Sequence, residues 1–149
     1  MNLTSDIDTP NESQLSVFHH EECPFWLSDM PLPTCNTGFV YMLVSTRDFS
    51  YTYIGMTDNI ATCLSQHNSG YGSMSTEPIS LRPFALFAYV CGFEGNRQAM
   101  FSFESRWKYL RDFERNRGMV CIKQIARLPS RMVEFWKDLE LTLVLNVID

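Results

Sequence analysis

Two tyrosines and a histidine are the side chains of this sequence best suited to moving a proton. Tyr41 and Tyr53 lie in two successive β-rich segments, and antiparallel pairing of those segments can point both hydroxyl groups to one face. His67 follows Cys63 by four residues in a helical segment, so the imidazole and the thiol share a face. A phenol has a pKa of about 10, so Tyr41 acts as a base only where a neighbour lowers that pKa. The structural alternatives are core aromatics for the tyrosines and a helix C-terminal cap for His67.

Glu104 is the best candidate ligand for a hard divalent ion. It lies in a long amphipathic segment whose apolar positions include Met100, Phe103 and Trp107. One carboxylate with water molecules can hold such an ion, which activates water and stabilises charge at a phosphate. The alternative is an ordinary glutamate on a helix surface.

A zinc site is the other metal chemistry that the residue types allow. His19, His20, Cys23 and Cys35 together offer two imidazoles and two thiolates. Their spacing does not match the short ligand loops of zinc fingers, so incidental residues in a polar tail are the favoured interpretation. The five cysteines are an odd number without a CxxC pair, which favours reduced thiols.

The elements that must position these residues follow from hydrophobic periodicity and turn residues. The pattern predicts strands at Phe39–Ser45, Tyr51–Thr57 and Pro83–Phe93, helices at Ile60–His67 and from Asn96 to Gly118, an extended segment at Met119–Leu128, and a last amphipathic helix from Pro129 or Ser130 to Asn146. Between the first helix and the third strand lies a Gly, Ser and Thr-rich loop, 71–82, long enough to be functional.

This order, β-β-α-β-α-α, predicts an α+β fold of the α/β sandwich kind, with a small three-stranded, mainly antiparallel sheet flanked by helices. Residues 1–36 predict an acidic polar arm, extended or partly disordered, and residues 37–149 predict one domain.

Charge is distributed unevenly between the arm and the body of the chain. The net charge of -5 arises from residues 1–37, which hold six acidic side chains and no lysine or arginine. The segment Arg97–Arg131 holds nine basic and three acidic residues. A basic stripe of this kind suits a phosphate backbone, although a solvated helix face has a similar composition.

Several short motifs, in order, resemble the GIY-YIG nuclease domain family. They are Gly38–Tyr41, Tyr53–Gly55 and Gln66–Gly70. The downstream motifs Arg82–Phe84, Gly92–Phe93 and Phe103–Glu104 with Trp107 are similar to the branch that cuts branched DNA as the nuclease subunit of a eukaryotic structure-specific complex. The resemblance spans about Gly38 to Leu110.

The resemblance implies a metal-dependent endonuclease that hydrolyses duplex or branched DNA with Mg²⁺ or Mn²⁺. It implies that Glu104 holds the metal. The catalytic positions that it implies are Tyr41, Tyr53, Cys63, His67 and Glu104. The predicted substrate-binding residues are Asn68, Arg82, Arg106 and Arg111.

Cys63 departs from the family pattern, in which an arginine occupies this position. A thiol cannot supply that charge, and loss of one preorganised donor typically costs about 100-fold to 1000-fold in rate. Three interpretations follow: a weak or inactive nuclease, a substitute cation such as Arg82, or an inactivating change in this chain. The alternative function is a catalytically silent nucleic-acid-binding module that retains the fold.

The sequence also allows expectations about membrane association, partners and cellular location. No apolar stretch approaches the roughly 20 residues of a membrane-spanning helix, so no membrane association is expected. A homodimer or a protein partner is expected to dock through the arm or the last helix. The polar opening of the sequence predicts an intracellular protein, nuclear if the source is eukaryotic and otherwise cytoplasmic.

Overall fold

The computed structural model describes residues 26–27, 32–33, 37–118 and 121–148. Its strands are β1 (Trp26–Leu27), β2 (Phe39–Ser45), β3 (Thr52–Thr57), β4 (Phe84–Cys91), β5 (Thr142–Leu145) and β6 (Val147–Ile148). Its α-helices are α1 (Ile60–Ser69), α2 (Arg97–Asn116) and α3 (Ile122–Arg127). Single 3₁₀ turns span Met74–Thr76, Ile79–Leu81, Leu128–Arg131 and Val133–Trp136.

Four strands form the main sheet in the order β3-β2-β4-β5, and every neighbouring pair is antiparallel. The predicted α+β class is confirmed, and the sheet has one strand more than the three predicted. The β2–β3 hairpin places Tyr41 opposite Gly55, and β4 places Tyr89 on the other side of Tyr41. Strands β1 and β6 pair separately as a two-stranded sheet.

The additional strand comes from the segment that was predicted as the last helix. That prediction is wrong, because the chain forms two 3₁₀ turns up to Trp136 and then pairs along β4 as β5. Asn146 fixes this arrangement by donating from its backbone N–H to the Phe87 carbonyl and from its side chain to the Leu86 carbonyl. Pairing with β4 therefore overrides the helical spacing of apolar residues, and no helix exists there to carry the predicted partner contact.

The segment before it was predicted to be extended, and that prediction is also wrong. Residues 122–127 form α3, because Ile122, Ile125 and Ala126 fall at helical spacing and are buried against the core. The indole N–H of Trp107 in α2 donates to the Ile125 carbonyl at 3.0 Å, which joins the two helices.

The helices that flank the sheet begin and end where local signals predict. Asn59 accepts the N–H of Thr62 at the start of α1, and Gly70 ends α1 with a φ of 90°. Asn96 accepts the N–H of Ala99 at the start of α2. No helix in the described part of the chain is long and apolar enough to cross a membrane.

The two faces of the sheet pack against different helices. One face, with Met42 and Phe87, buries the apolar side of α2 together with α3. The opposite face, with Tyr41 and Leu43, packs against α1 through Ile60. The α1 face is thus the one that carries the tyrosines.

Most of the predicted arm, 1–36, lies outside the described residues. The zinc candidates His19, His20, Cys23 and Cys35 lie outside them as well.

Candidate active site

Tyr41 stands at the centre of a buried polar cluster between β2 and α1. Its hydroxyl group lies 2.9 Å from the Cys63 sulfur and 2.9 Å from His67 Nε2. Cys63 and His67 are one helical turn apart on the side of α1 that faces the sheet, so both side chains reach the same phenol. The structure therefore brings together the side chains that the sequence spacing placed on shared faces.

His67 is held on both sides of its ring. Its Nδ1 lies 2.7 Å from the Thr76 hydroxyl group, and its ring packs 4.6 Å from the Tyr53 ring, measured between centroids. Only 1% of the residue is exposed. Burial lowers the pKa of His67 from its ordinary value, so the neutral imidazole is the stable form at neutral pH.

Both phenols keep their protons more strongly than a tyrosine in water. Burial is the main cause of the raised pKa of Tyr41, and Cys63, Tyr53 and Glu104 raise it further. The pKa of Tyr53 is also raised, mainly by burial, while a hydrogen bond with Ser73 opposes the shift. Tyr41 can therefore lose its proton only to a group in direct contact, and His67 Nε2 is such a group.

Glu104 on α2 acts on this cluster through its charge. Its carboxylate is close enough to both phenols to raise the pKa of each. The side chain is 14% exposed and lies 3.5 Å from the Lys108 ammonium group. Tyr41, Tyr53, Cys63 and His67 thus lie in direct contact with one another, and the place of Glu104 in the same site stays a prediction.

The donor set at this site suits a hard cation held in an open manner. Within the described residues, no group of three His, Cys, Asp or Glu side chains could form a closed metal cage. Mg²⁺ usually keeps several waters and binds through one or two carboxylates plus substrate phosphate oxygens, and Glu104 offers a carboxylate of that kind. The residues present therefore fit an ion bound jointly by protein, water and substrate.

Two glycines shape the site by leaving room for rings. A Cβ on Gly55 would lie 2.8 Å from the Tyr41 hydroxyl oxygen and 2.8 Å from a ring carbon of Tyr53. A Cβ on Gly72 would lie 2.5 Å from His67 Nδ1. Any larger residue at either position would push the aromatic groups apart.

Asn68 and Arg82, predicted to bind substrate, are engaged within the protein. The Asn68 amide donates to the Phe84 carbonyl and accepts the Phe84 N–H, which ties α1 to β4. Arg82 donates to the Asn68 carbonyl at 3.2 Å near the end of α1. The Arg82 Nε is buried and has no hydrogen-bond partner among the described residues. Contacts of Asn68 and Arg82 with substrate stay predictions.

The other two predicted substrate-binding residues lie on different faces of α2. Positions 97, 104, 108, 111 and 115 follow one another at helical spacing, so Arg111 shares the Glu104 face. Arg106 is two positions after Glu104, about 200° around the helix, and its guanidinium group lies over the Phe135 ring. The structure thus brings Arg111 to the site side of α2 and leaves Arg106 away from it.

Sequence reasoning missed the contribution of loop 71–82 to the site. Thr76 is fully buried against His67, Ser73 contacts Tyr53, and Gly72 packs on the imidazole ring. The Gly, Ser and Thr-rich composition of the loop was the available signal, but it does not show which hydroxyl meets which ring.

Comparisons with known proteins match the part of the chain that holds this cluster. The family model described as the GIY-YIG catalytic domain matches residues 37–116, more than half of the chain. The chain is 38% identical over 76 residues to structure-specific endonuclease subunit SLX1 of Podospora anserina, covering 50% of this chain and 22% of that protein. It is 33% identical over 95 residues to an uncharacterized protein of Acanthamoeba polyphaga mimivirus, covering 61% of this chain and 55% of that protein. The chain therefore spans about half or less of the length of these curated relatives.

Proposed function

Because this chain belongs to the GIY-YIG catalytic domain family, we propose that it is a metal-dependent endonuclease that hydrolyses phosphodiester bonds in DNA. The observation that carries the proposal is the 2.9 Å contact between the Tyr41 hydroxyl group and His67 Nε2, in a cluster that the Glu104 carboxylate also influences. This arrangement joins a proton acceptor and a phenol, and the Glu104 carboxylate is the charge that the proposal adds to them.

The chemistry is a proton relay inside the cluster. As the water attacks, its proton passes to the Tyr41 oxygen while the Tyr41 proton passes to the neutral His67 at Nε2. The raised pKa of Tyr41 and the lowered pKa of His67 both disfavour a separate phenolate–imidazolium pair, so the two protons move together. Tyr53 packs against His67 and limits the movement of its ring.

Glu104 would hold Mg²⁺ or Mn²⁺ in this proposal. Such an ion, when bound, supplies charge stabilisation at the phosphate oxygens and helps the 3′ oxygen to leave. The Lys108 ammonium group at 3.5 Å from Glu104 adds positive charge on the same side of α2.

DNA would lie along the site face of α2. Arg97 and Lys108 are the exposed cations of this face, with side chains 62% and 42% exposed, although Arg97 contacts Asp58. Arg111 lies on the same face but is 16% exposed and pairs with Asp112 at 3.0 Å. Arg115 is less available because it donates to the Ser50 carbonyl at 2.7 Å in the β2–β3 turn. The exposed guanidinium and ammonium groups can neutralise phosphates without reading bases.

Branched DNA is the proposed preferred substrate, with duplex DNA as the weaker one. The support is the relative in Podospora anserina, whose name describes a structure-specific endonuclease subunit. We further propose that the protein acts inside the cell, in the nucleus if the source is eukaryotic. It would act as a homodimer or with a protein partner.

A silent nucleic-acid-binding module is the second candidate, and Cys63 is the observation that favours it. The thiol contacts Tyr41, where the family pattern places an always-charged guanidinium group. In that case the basic face of α2 would bind DNA while the cluster performed no hydrolysis.

Cleavage assays on labelled duplex and branched DNA test the proposal. The chain should cleave branched DNA faster in Mg²⁺ or Mn²⁺ and should stop on chelation. Glu104→Gln should abolish cleavage, whereas Glu114→Gln, which changes a carboxylate on the same helix with the same 14% exposure, should not. DNA binding without cleavage, in the parent and in Cys63→Arg alike, would favour the silent module.

A further inference from the structure

We propose that Thr76 is the positioning residue that sets the tautomer of His67, and that loop 71–82 exists partly to hold it. The effect of Thr76 on catalysis rests on the proposed function, whereas its effect on the position of the imidazole proton does not. Thr76 is fully buried nine residues after His67, with its hydroxyl oxygen 2.7 Å from Nδ1. Nothing in the reaction described above uses this residue directly.

The Thr76 hydroxyl has one proton and two possible acceptors, the Ser73 carbonyl at 3.2 Å and His67 Nδ1 at 2.7 Å. Because a carbonyl can only accept, we assign the proton to Ser73, and the Thr76 oxygen then accepts the Nδ1–H of His67. A neutral imidazole carries a single N–H, so Nε2 keeps a lone pair that faces the Tyr41 hydroxyl group.

The rest of the cluster agrees with this assignment. Tyr41 donates to His67 Nε2, and its oxygen accepts the S–H of Cys63 at 2.9 Å. Each group is satisfied with no proton left over. In the opposite tautomer, Nε2–H would donate to Tyr41, and His67 would have no lone pair with which to take the phenolic proton.

The surrounding turn keeps Thr76 in place. The Ser73 hydroxyl accepts the Ser75 N–H at the start of the Met74–Thr76 turn, and the Tyr51 hydroxyl donates to the Ser75 carbonyl at 2.6 Å. A Cβ on Gly72 would lie 2.5 Å from His67 Nδ1, and the Tyr53 ring lies 4.6 Å from the imidazole between centroids, so neighbours enclose the ring. The hydroxyl of Thr76 therefore acts on a ring whose orientation is already fixed.

Nitrogen-15 NMR of the full chain measures the tautomer without DNA or metal. The sequence has three histidines, and spectra of His67→Gln identify the signals of His67. The unaltered chain should show His67 with its proton on Nδ1. Thr76→Val should move the proton toward Nε2, and Thr76→Ser should restore Nδ1 protonation.

Two control variants separate this effect from general loosening. Met74→Ala changes an 88% exposed residue in the same turn, and Thr46→Val removes another buried threonine hydroxyl, which donates to the Pro83 carbonyl. Both should leave the His67 tautomer unchanged. In cleavage, Thr76→Val should lower kcat by about 10-fold to 100-fold with little change in KM, and Thr76→Ser should recover it.

The outcomes distinguish this inference from the proposed function. A His67 proton on Nε2 in the unaltered chain, or an unchanged tautomer in Thr76→Val, would overturn the role of Thr76. If the tautomer responds as expected while neither the parent nor Cys63→Arg cleaves DNA, the role of Thr76 stands and the nuclease proposal fails.

Discussion

Replacing Cys63 with arginine should increase DNA cleavage. Position 63 is half-buried on α1, one turn before His67, and its sulfur already touches the Tyr41 hydroxyl group at 2.9 Å. An arginine from the same backbone position can run its methylene stem past Tyr41 and place the guanidinium group at the mouth of the site, where a phosphate would approach.

The expected size of the effect follows from charge and distance. A guanidinium about 4 Å from a unit of developing negative charge, near a protein surface, contributes about 4 kcal/mol. That energy corresponds to about 1000-fold in rate, at the upper end of the effect of one preorganised donor. Loss of the Cys63–Tyr41 hydrogen bond should lower the free energy of unfolding by only about 1 kcal/mol.

The assay is single-turnover cleavage of labelled branched DNA with protein in excess, alongside thermal unfolding and DNA affinity. Cys63→Arg should gain 100-fold or more by the same estimate. Cys63→Met, which supplies an unbranched stem without charge, should gain nothing. Adding Glu104→Gln to Cys63→Arg should remove the gain. A Cys63→Arg protein that folds and binds DNA normally but cleaves no faster would refute the reasoning, since the missing charge would then not limit the rate.

Three further predictions concern DNA binding, stability and pH. Changing the exposed Arg97 and Lys108 together to Glu should weaken binding to every DNA sequence and reduce the slope of log affinity against log salt by about 2, measured by fluorescence anisotropy; an unchanged slope would exclude this face. Trp107→Phe should lower the free energy of unfolding by about 1 to 3 kcal/mol in chemical denaturation, because the Ile125 carbonyl keeps only the Leu128 N–H as a donor within the described segments and the smaller ring leaves core volume unfilled, and equal stability would contradict that. Since burial lowers the pKa of His67, the neutral base persists below its ordinary value of 6.5, and cleavage should decline only as pH falls through that lowered pKa. The His67 contribution to stability is complete above 6.5 and is lost as pH falls from 6.5 through the lowered pKa, because the unfolded chain takes up the proton first. A loss of either that is complete above 6.5 would disagree.

Local sequence signals predicted the elements around the site well. Asn59 and Gly70 mark the two ends of α1, and the hairpin pattern placed Tyr41 and Tyr53 on neighbouring strands. These signals work because capping and strand alternation depend on residues that are close in sequence.

The C-terminal segment shows where such signals fail. Leu139, Leu143 and Val144 recur at helical spacing, yet the chain around Leu143 forms β5. The free edge of β4 and the Asn146 hydrogen bonds decide the outcome, and both are tertiary contacts that no local pattern contains.

Some features of the site could likewise be predicted from the sequence, and others could not. The separation of Arg106 from Glu104 was available from the sequence, because two helical positions differ by about 200°. The contact between Thr76 and His67 was not available, since it depends on how loop 71–82 folds back over α1.

Removal of one oxygen atom, that of the Tyr41 hydroxyl group, tests whether this cluster is the active site. Tyr41→Phe keeps the ring packing in β2 while deleting the hydroxyl group that contacts His67 and Cys63. Tyr89→Phe is the matched control, because it deletes a hydroxyl from the β4 tyrosine that pairs with Tyr41 of β2. Under single-turnover conditions with Mg²⁺ or Mn²⁺, Tyr41→Phe should lose at least about 100-fold in cleavage rate at unchanged DNA affinity, and Tyr89→Phe should lose little. Cleavage by Tyr41→Phe at the rate of the unaltered chain would contradict the assignment of this cluster as the active site.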